Sequence, residues 1–258
     1  MRSDSASDWK TPSQFPILLP AEVHVWRFSL VVSTDRNHLL EASLDGKERE
    51  RADRFRGKGL RLRFIAGRGT LRSILARYRD TLPSRIEFSY GVHGKPELKV
   101  ESGGISFNLA HSGEIALLAV TKRGDVGVDI ESLRTLDNAE RIIERFFSAS
   151  EQCEFLALPE SERFAAFYLG WTRKEAFLKA KGTGLATRLD SFDVNLTPGQ
   201  PAAILRVDDD FEAHRQWAIV DLDPGPGYAG ALVVASVTHL PGTPDIRRFD
   251  LDSHDLIP

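Results

Sequence analysis

The chain has 258 residues, 41% of them apolar, with 34 basic against 37 acidic side chains. That is enough for one large domain or two half-size ones with a real core, and the near-balanced charge gives no global reason to bind nucleic acid or a membrane surface. No window approaches the roughly eighteen consecutive apolar residues of a membrane span, and the single cysteine, Cys153, excludes an internal disulfide and a cysteine metal cage, so a metal would need oxygen or histidine ligands.

Residues 1–20 lack the apolar run of a signal peptide and read as a loose polar lead-in to a cytoplasmic protein. Val23 to Leu30 predicts a strand. Leu44 to Phe55 and Leu60 to Tyr78 predict helices, because their apolar residues recur at three- and four-residue steps. Ile86 to Phe88 is a short strand closed by the turn sequence YGVHGKP. Strands are expected at Ile105–Leu109, Ile115–Val120 and Val126–Glu131, with His111 in the connection between the first two. A helix over Asp137–Phe147 leads to a short one opened by the capping-box pair Ser148 and Glu151. A long helix over Glu162–Lys181 follows, ended by Gly182 and Gly184. Strands at Phe192–Leu196, Ala203–Val207, Trp217–Leu222 and Ala229–Val237 complete the pattern, and residues 241–258 read as an acidic, proline-bearing, ill-ordered tail.

The two halves resemble each other. FIAGRGTLRSILA, residues 64–76, lies over FYLGWTRKEAFLK, residues 167–179, with phenylalanine and glycine at the same offsets, and a short strand follows each at Phe88 and Phe192. An internal duplication therefore predicts an α/β (α+β) protein of two similar halves, 21–124 and 125–240, with a site in the cleft between them.

Four features carry chemistry. Asp129 and Glu131 end a strand two residues apart, so they project from one face with Ile130 turned into the core. A lone Asp-x-Glu is often just a strand running out into solvent, but two carboxylates held together also suit magnesium, which commonly binds one or two carboxylates plus substrate phosphates. On the long helix, Trp171, Glu175, Leu178 and Lys179 share a side, Lys174 lies beside them, and Glu175 and Lys179 are spaced as an ordinary surface ion pair would be. From Lys47 to Arg72 there are ten basic residues against Glu48, Glu50 and Asp53, an excess of seven in a chain whose total is minus three. Such a run is commonly a solvated helical face; its sharper meaning is a phosphate-rich ligand, since guanidinium groups match phosphate oxygens. The run lacks the interleaved aromatics of a single-strand binder, and nucleic acid is not expected. His111 could be a turn histidine bonded to backbone, or could donate a hydrogen bond to a phosphate.

Taken in order, Gly94-Lys95-Pro96, Phe107-Asn108-Leu109-Ala110-His111-Ser112, Gly127-Val128-Asp129-Ile130-Glu131, Phe146-Phe147-Ser148-x-x-Glu151 and Trp171-Thr172-x-Lys174-Glu175-x-x-x-Lys179 resemble the motifs of the surfactin-type 4'-phosphopantetheinyl transferases. The likeness spans about Val23 to Leu196. It implies a pseudo-twofold fold that binds coenzyme A between its halves and uses magnesium to move the phosphopantetheine arm onto a serine of an acyl or peptidyl carrier protein, releasing adenosine 3',5'-bisphosphate. It implies Asp129, Glu131 and Glu175 as magnesium ligands, and Glu175 or Glu151 as the base that takes the serine proton. Lys179 would neutralise charge growing on the diphosphate, and Lys95, His111, Arg51, Lys174 and more loosely Arg63 would contact coenzyme A. Two departures stand out: Ala110 replaces a serine frequent in relatives, and Glu48 stands where relatives often carry a basic residue, with Lys47 one place away. A monomer is expected from two fused halves. The rival readings are a magnesium-dependent phosphohydrolase using the same carboxylates with water, and a non-catalytic carrier- or nucleotide-binding protein on the same fold.

Overall fold

The computed structural model describes residues 8–99, 104–136, 138–208, 216–235 and 244–251. Both halves follow one plan. In the first, β1 (Glu22–Ser29) leads through α1 (Thr34–Ala42), α2 (Gly46–Asp53) and the long α3 (Lys58–Tyr78) to a hairpin, β2 (Phe88–Tyr90) and β3 (Pro96–Leu98), and then to β4 (Ser106–Ser112) and β5 (Ile115–Thr121). In the second, β6 (Val126–Ser132) leads through α4 (Ala139–Phe146), α5 (Ala149–Ala157) and the long α6 (Glu160–Lys181) to the hairpin β7 (Phe192–Val194) and β8 (Ile204–Val207), and then to β9 (Trp217–Leu222) and β10 (Tyr228–Ala235). A last strand, β11 (Asp245–Asp250), follows.

The sheets repeat the plan as well. The first has the order β11-β1-β5-β4 and the second β6-β10-β9. In each half the final strand returns antiparallel beside the opening strand and carries the preceding strand on its other edge. Strand alternation then builds a helix–sheet–sheet–helix stack. On β1 and β5, Trp26, Phe28 and Leu118 pack under Leu71, Ile74 and Leu75 of α3. Val23, Val25, Leu117 and Ala119 turn the other way, toward Val126, Val128, Ile130 and Leu232 of the second sheet. Across that sheet, Ala231 and Val233 meet Ala176, Phe177 and Ala180 of α6. Both faces of β5 are thus buried, which is why it reads as an unbroken apolar run.

A buried ion pair recurs in each half. Glu48 closes a capping box at the start of α2, pairs with Arg68, and accepts from Arg72 of α3 at 2.6 Å. Arg72 also donates to the carbonyl of Ile86 and lies 5.3 Å from the Phe88 ring. In the second half Glu151 closes a capping box at the start of α5 and accepts from Lys174 of α6 at 2.7 Å. Lys174 donates to the carbonyl of Phe192 and lies 4.2 Å from that residue's ring. Each pair pins its long helix to the preceding helix and to the following hairpin.

Several expectations need correction. Helix α1 is absent from the sequence reading because its residues are mostly polar; Ser33 caps it by accepting from the Arg36 N–H, and Leu40 anchors it. Strand β3 was also unforeseen. His111 lies on β4 itself, paired across from Ala116, and not in a connection. From Asp8 on, the lead-in is anchored: Trp9 and Leu18 are buried, and Phe15 stacks on Trp26 at 5.2 Å. The tail supplies β11, which runs parallel to β1 and buries Phe249. Residues 1–7, Asp137 and the expected end of the last strand at 236–237 lie outside the described residues.

Candidate active site

Along β6 the residues Val126, Val128 and Ile130 point between the sheets, so Gly127, Asp129 and Glu131 face α6. A Cβ on Gly127 would stand 2.1 Å from the Ala176 carbonyl oxygen and 2.3 Å from the Ala180 nitrogen. Only glycine permits this approach of helix to strand. The close packing sets Glu175 and Lys179 of α6 over the carboxylates of β6, and Lys179 Nζ donates to Asp129 Oδ1 at 2.5 Å. Gly182, at φ 68°, then caps α6 in the left-handed conformation.

The carboxylates interact strongly. Asp129 is 4% exposed, and burial pushes its carboxyl up to about 7; Lys179 opposes this, while Glu131 and Glu175 add to it. Burial also raises the Glu175 carboxyl, with Lys179 lowering and Glu131 raising it. At the end of β4, partial burial and the Lys179 ammonium hold the His111 imidazole below the usual histidine range, against the pull of Glu131. His111, Asp129, Glu131, Glu175 and Lys179 therefore form one electrostatic unit built from β4, β6 and α6.

A divalent cation fits this unit. Among the described residues no three His, Cys, Asp or Glu side chains converge into a finished metal cage. Yet Asp129 Oδ2 is buried without a hydrogen-bond partner, an oxygen still owed a cation or a donor. Magnesium needs only one or two protein carboxylates when phosphates and waters fill its other positions, so an incomplete protein cage with an orphaned carboxylate oxygen suits it.

The remaining candidates divide. Arg63, near the start of α3, pairs at 3.3 Å with Glu114 in the turn after β4, next to Ser112, whose hydroxyl donates to Glu131. Arg51 is exposed and lies 5.4 Å from the ring of Phe64. Through Glu114, Arg63 is thereby near the Glu131 end of β6, whereas Arg51 packs on Phe64 of α3. Lys95, reaching over from the turn between β2 and β3, donates to the carbonyls of Val126 and Ala180 at 3.1 and 3.2 Å. It sits three residues before Asp129, about 10 Å along the strand.

Two of the candidates are engaged with one another inside the fold. Lys174 is 0% exposed and donates to both oxygens of Glu151 and to the Phe192 carbonyl, so its three N–H bonds are consumed and none remains for a ligand phosphate. Glu151, 1% exposed, accepts from Lys174 and from the backbone N–H groups of Ser148 and Val194. A base must reach the hydroxyl proton it removes, and this carboxylate is sealed between α5, α6 and β7. The first half, which lacks the acidic strand end, carries the same kind of pair at Glu48 and Arg72, as expected of a scaffold element. Ala110 likewise packs in the layer between the sheets, not against the site.

Sequence reasoning missed three contributors. Gly127 had a signal, since an isolated glycine within a strand marks a close backbone approach. Arg173 had none: fully buried, it forks onto Asp221 at 2.6 and 2.8 Å and onto the Asn195 carbonyl at 2.5 Å, tying α6 to the second sheet. Asn108 accepts from the Val128 N–H at 2.9 Å, joining β4 to β6 where no backbone ladder does.

Fold and site define a transferase built from a duplicated α/β unit, and the comparisons with known proteins agree. Residues 125–233 match the model of the 4'-phosphopantetheinyl transferase superfamily. The 4'-phosphopantetheinyl transferase HetI of Nostoc is 37% identical over 220 residues, 84% of this chain and 90% of that protein. The 4'-phosphopantetheinyl transferase Sfp of Bacillus subtilis is 31% identical over 204 residues, 79% of this chain and 88% of that protein. The chain belongs to the 4'-phosphopantetheinyl transferase superfamily and is an enzyme of that class.

Proposed function

We propose that this transferase moves the phosphopantetheine arm of coenzyme A onto a serine of an acyl or peptidyl carrier protein, with magnesium held by Asp129, Glu131 and Glu175. The observation that carries the reading is the meeting of those carboxylates with Lys179 around the orphaned Asp129 oxygen. When bound, the magnesium ion supplies positive charge against the diphosphate oxygens.

Glu175 accepts the serine proton as the hydroxyl oxygen attacks the β-phosphorus. Half-buried and not sealed as Glu151 is, it is open to a bound hydroxyl, as a base must be. The new bond joins serine oxygen to phosphorus, and the bond that breaks releases adenosine 3',5'-bisphosphate. Lys179, held beside Asp129 and 30% exposed, neutralises charge developing on the leaving phosphate. His111, as a neutral imidazole, donates a hydrogen bond, while Arg63 and Arg51 bring guanidinium groups to the coenzyme A phosphates. Lys95 spends two of its three N–H bonds on the Val126 and Ala180 carbonyls and keeps one for a phosphate. We further take the working enzyme to be a cytoplasmic monomer; no described helix is long and apolar enough to cross a membrane.

Intact-protein mass spectrometry of an apo carrier protein incubated with the enzyme, coenzyme A and magnesium tests this. One added phosphopantetheine arm is expected, formed at least about 100-fold more slowly by Glu175→Gln. No addition to fatty-acid, polyketide or peptide carriers, with coenzyme A still bound, would overturn it.

A further inference from the structure

Strands β4 and β6 are neighbouring edges of different sheets, and no backbone ladder joins them. Two side chains of β4, four residues apart, bridge the gap to two backbone N–H groups of β6, also four apart. Asn108 Oδ1 accepts from Val128 N at 2.9 Å, and Ser112 Oγ accepts from Ser132 N at 2.9 Å. The two bridges differ in one respect. The Asn108 bridge ends at the backbone, whereas the Ser112 hydroxyl goes on to donate to Glu131 Oε2 at 3.0 Å, with Ser132 Oγ a more distant alternative at 3.4 Å.

We propose that Ser112 is a positioning residue that aims the Glu131 carboxylate at the cation site by a hydrogen bond across the seam between the two halves. Glu131 is the last residue but one of β6 and is only half-buried, so strand packing fixes its backbone but not the torsions of its side chain. Ser112 is itself fixed, because the Ser132 N–H occupies one of its lone pairs and directs its hydroxyl hydrogen toward the carboxylate. A partner of this kind holds a ligand oxygen in its binding orientation, and removing one weakens metal affinity by about 10- to 100-fold. The inference rests on the metal reading above and adds to it a residue contributed by the other half of the molecule. Two neighbours in the motif thereby take different tasks: His111 faces the phosphates, and Ser112 serves the metal ligand.

The test is Mn2+ titration followed by electron paramagnetic resonance, with coenzyme A present and its own Mn2+ binding subtracted, for the wild type, Ser112→Ala, Ser112→Thr and Asn108→Ala. Ser112→Ala is expected to weaken Mn2+ binding at least about tenfold, raising the magnesium concentration for half-maximal rate while kcat at saturating magnesium stays within about threefold. Ser112→Thr, which keeps the hydroxyl, should restore the affinity. Asn108→Ala cuts the same seam without touching a carboxylate, so it should lower the melting temperature and leave Mn2+ affinity within about twofold. Equal Mn2+ binding by wild type and Ser112→Ala overturns this inference alone, as does equal weakening by Asn108→Ala, which would make the effect one of the seam and not of the hydroxyl. Wild-type protein that takes up no Mn2+ overturns the metal reading and this inference with it.

Discussion

At the residue scale, Asp129 is placed where its charge is costly: it is buried, beside two other carboxylates, with one oxygen unpartnered. Its carboxyl rises from an ordinary 3.8 to about 7, so the folded protein holds that proton more tightly than the unfolded chain does. The sign follows: this group makes stability fall as pH rises between about 4 and 7, and above 7 a constant penalty of a few kcal/mol remains. Asp129→Asn, without metal, should therefore melt higher than the wild type at pH 8, with the difference shrinking toward pH 4, while turnover is lost. Calorimetry at both pH values checks it, and a lower melting point at pH 8 would refute it. The sharing of one face by Asp129 and Glu131, and the inward turn of Ile130, were legible from sequence because strand alternation is a local property. The separation of Lys174 from Glu175 was not. Adjacent helical residues point about 100° apart, and which of them meets the site depends on how the helix is rotated against its neighbours.

At the element scale, α6 does two jobs with opposite sides. Arg173 and Lys174 lock it to the hairpin and second sheet, and that lock presents Glu175 and Lys179 to β6. Gly127 sets the spacing. Gly127→Ala should cost at least about 3 kcal/mol in urea unfolding, because the atoms it meets are helix backbone and cannot rotate away, and turnover should fall with it. Glu151→Ala leaves Lys174 buried without its counter-charge and should cost about 3–5 kcal/mol. The double substitution Glu151→Leu with Lys174→Met removes both charges and should regain much of that loss together with measurable transfer to a carrier protein. A stable but inactive double variant would return Glu151 to the chemistry. The capping boxes at Asp45–Glu48 and Ser148–Glu151 both form; the second is legible from its Ser-x-x-Glu pattern, whereas the family likeness that points Glu151 toward catalysis does not show its buried partner Lys174.

At the scale of the whole molecule, the duplication suspected from two helix sequences extends to strand order, pairing direction, hairpins and a buried ion pair in each half. The site is not duplicated: the acidic strand end belongs to the second half, while His111 and Ser112 come from the first. Strand β11 breaks the symmetry by adding to the first sheet, where Phe249 packs 4.9 Å from Trp26 and Arg27 forks onto Asp250 at 2.6 Å. Phe249→Ala should cost about 3–5 kcal/mol by chemical denaturation, a loss foreign to an ill-ordered tail.

The sequence by itself determined the local properties: most of the strands and helices, the face shared by the two carboxylates, the helix caps, and the ordered motifs that mark the family. These follow from side-chain periodicity and short-range hydrogen bonding, which act over a few residues. Only the tertiary structure decided that Glu151 and Lys174 neutralise one another, that β11 completes the first sheet, and that Ser112 reaches Glu131. Those contacts join residues 19 to over 200 positions apart, and they are fixed by which surfaces are buried together, a property of the whole packed chain and of no single segment.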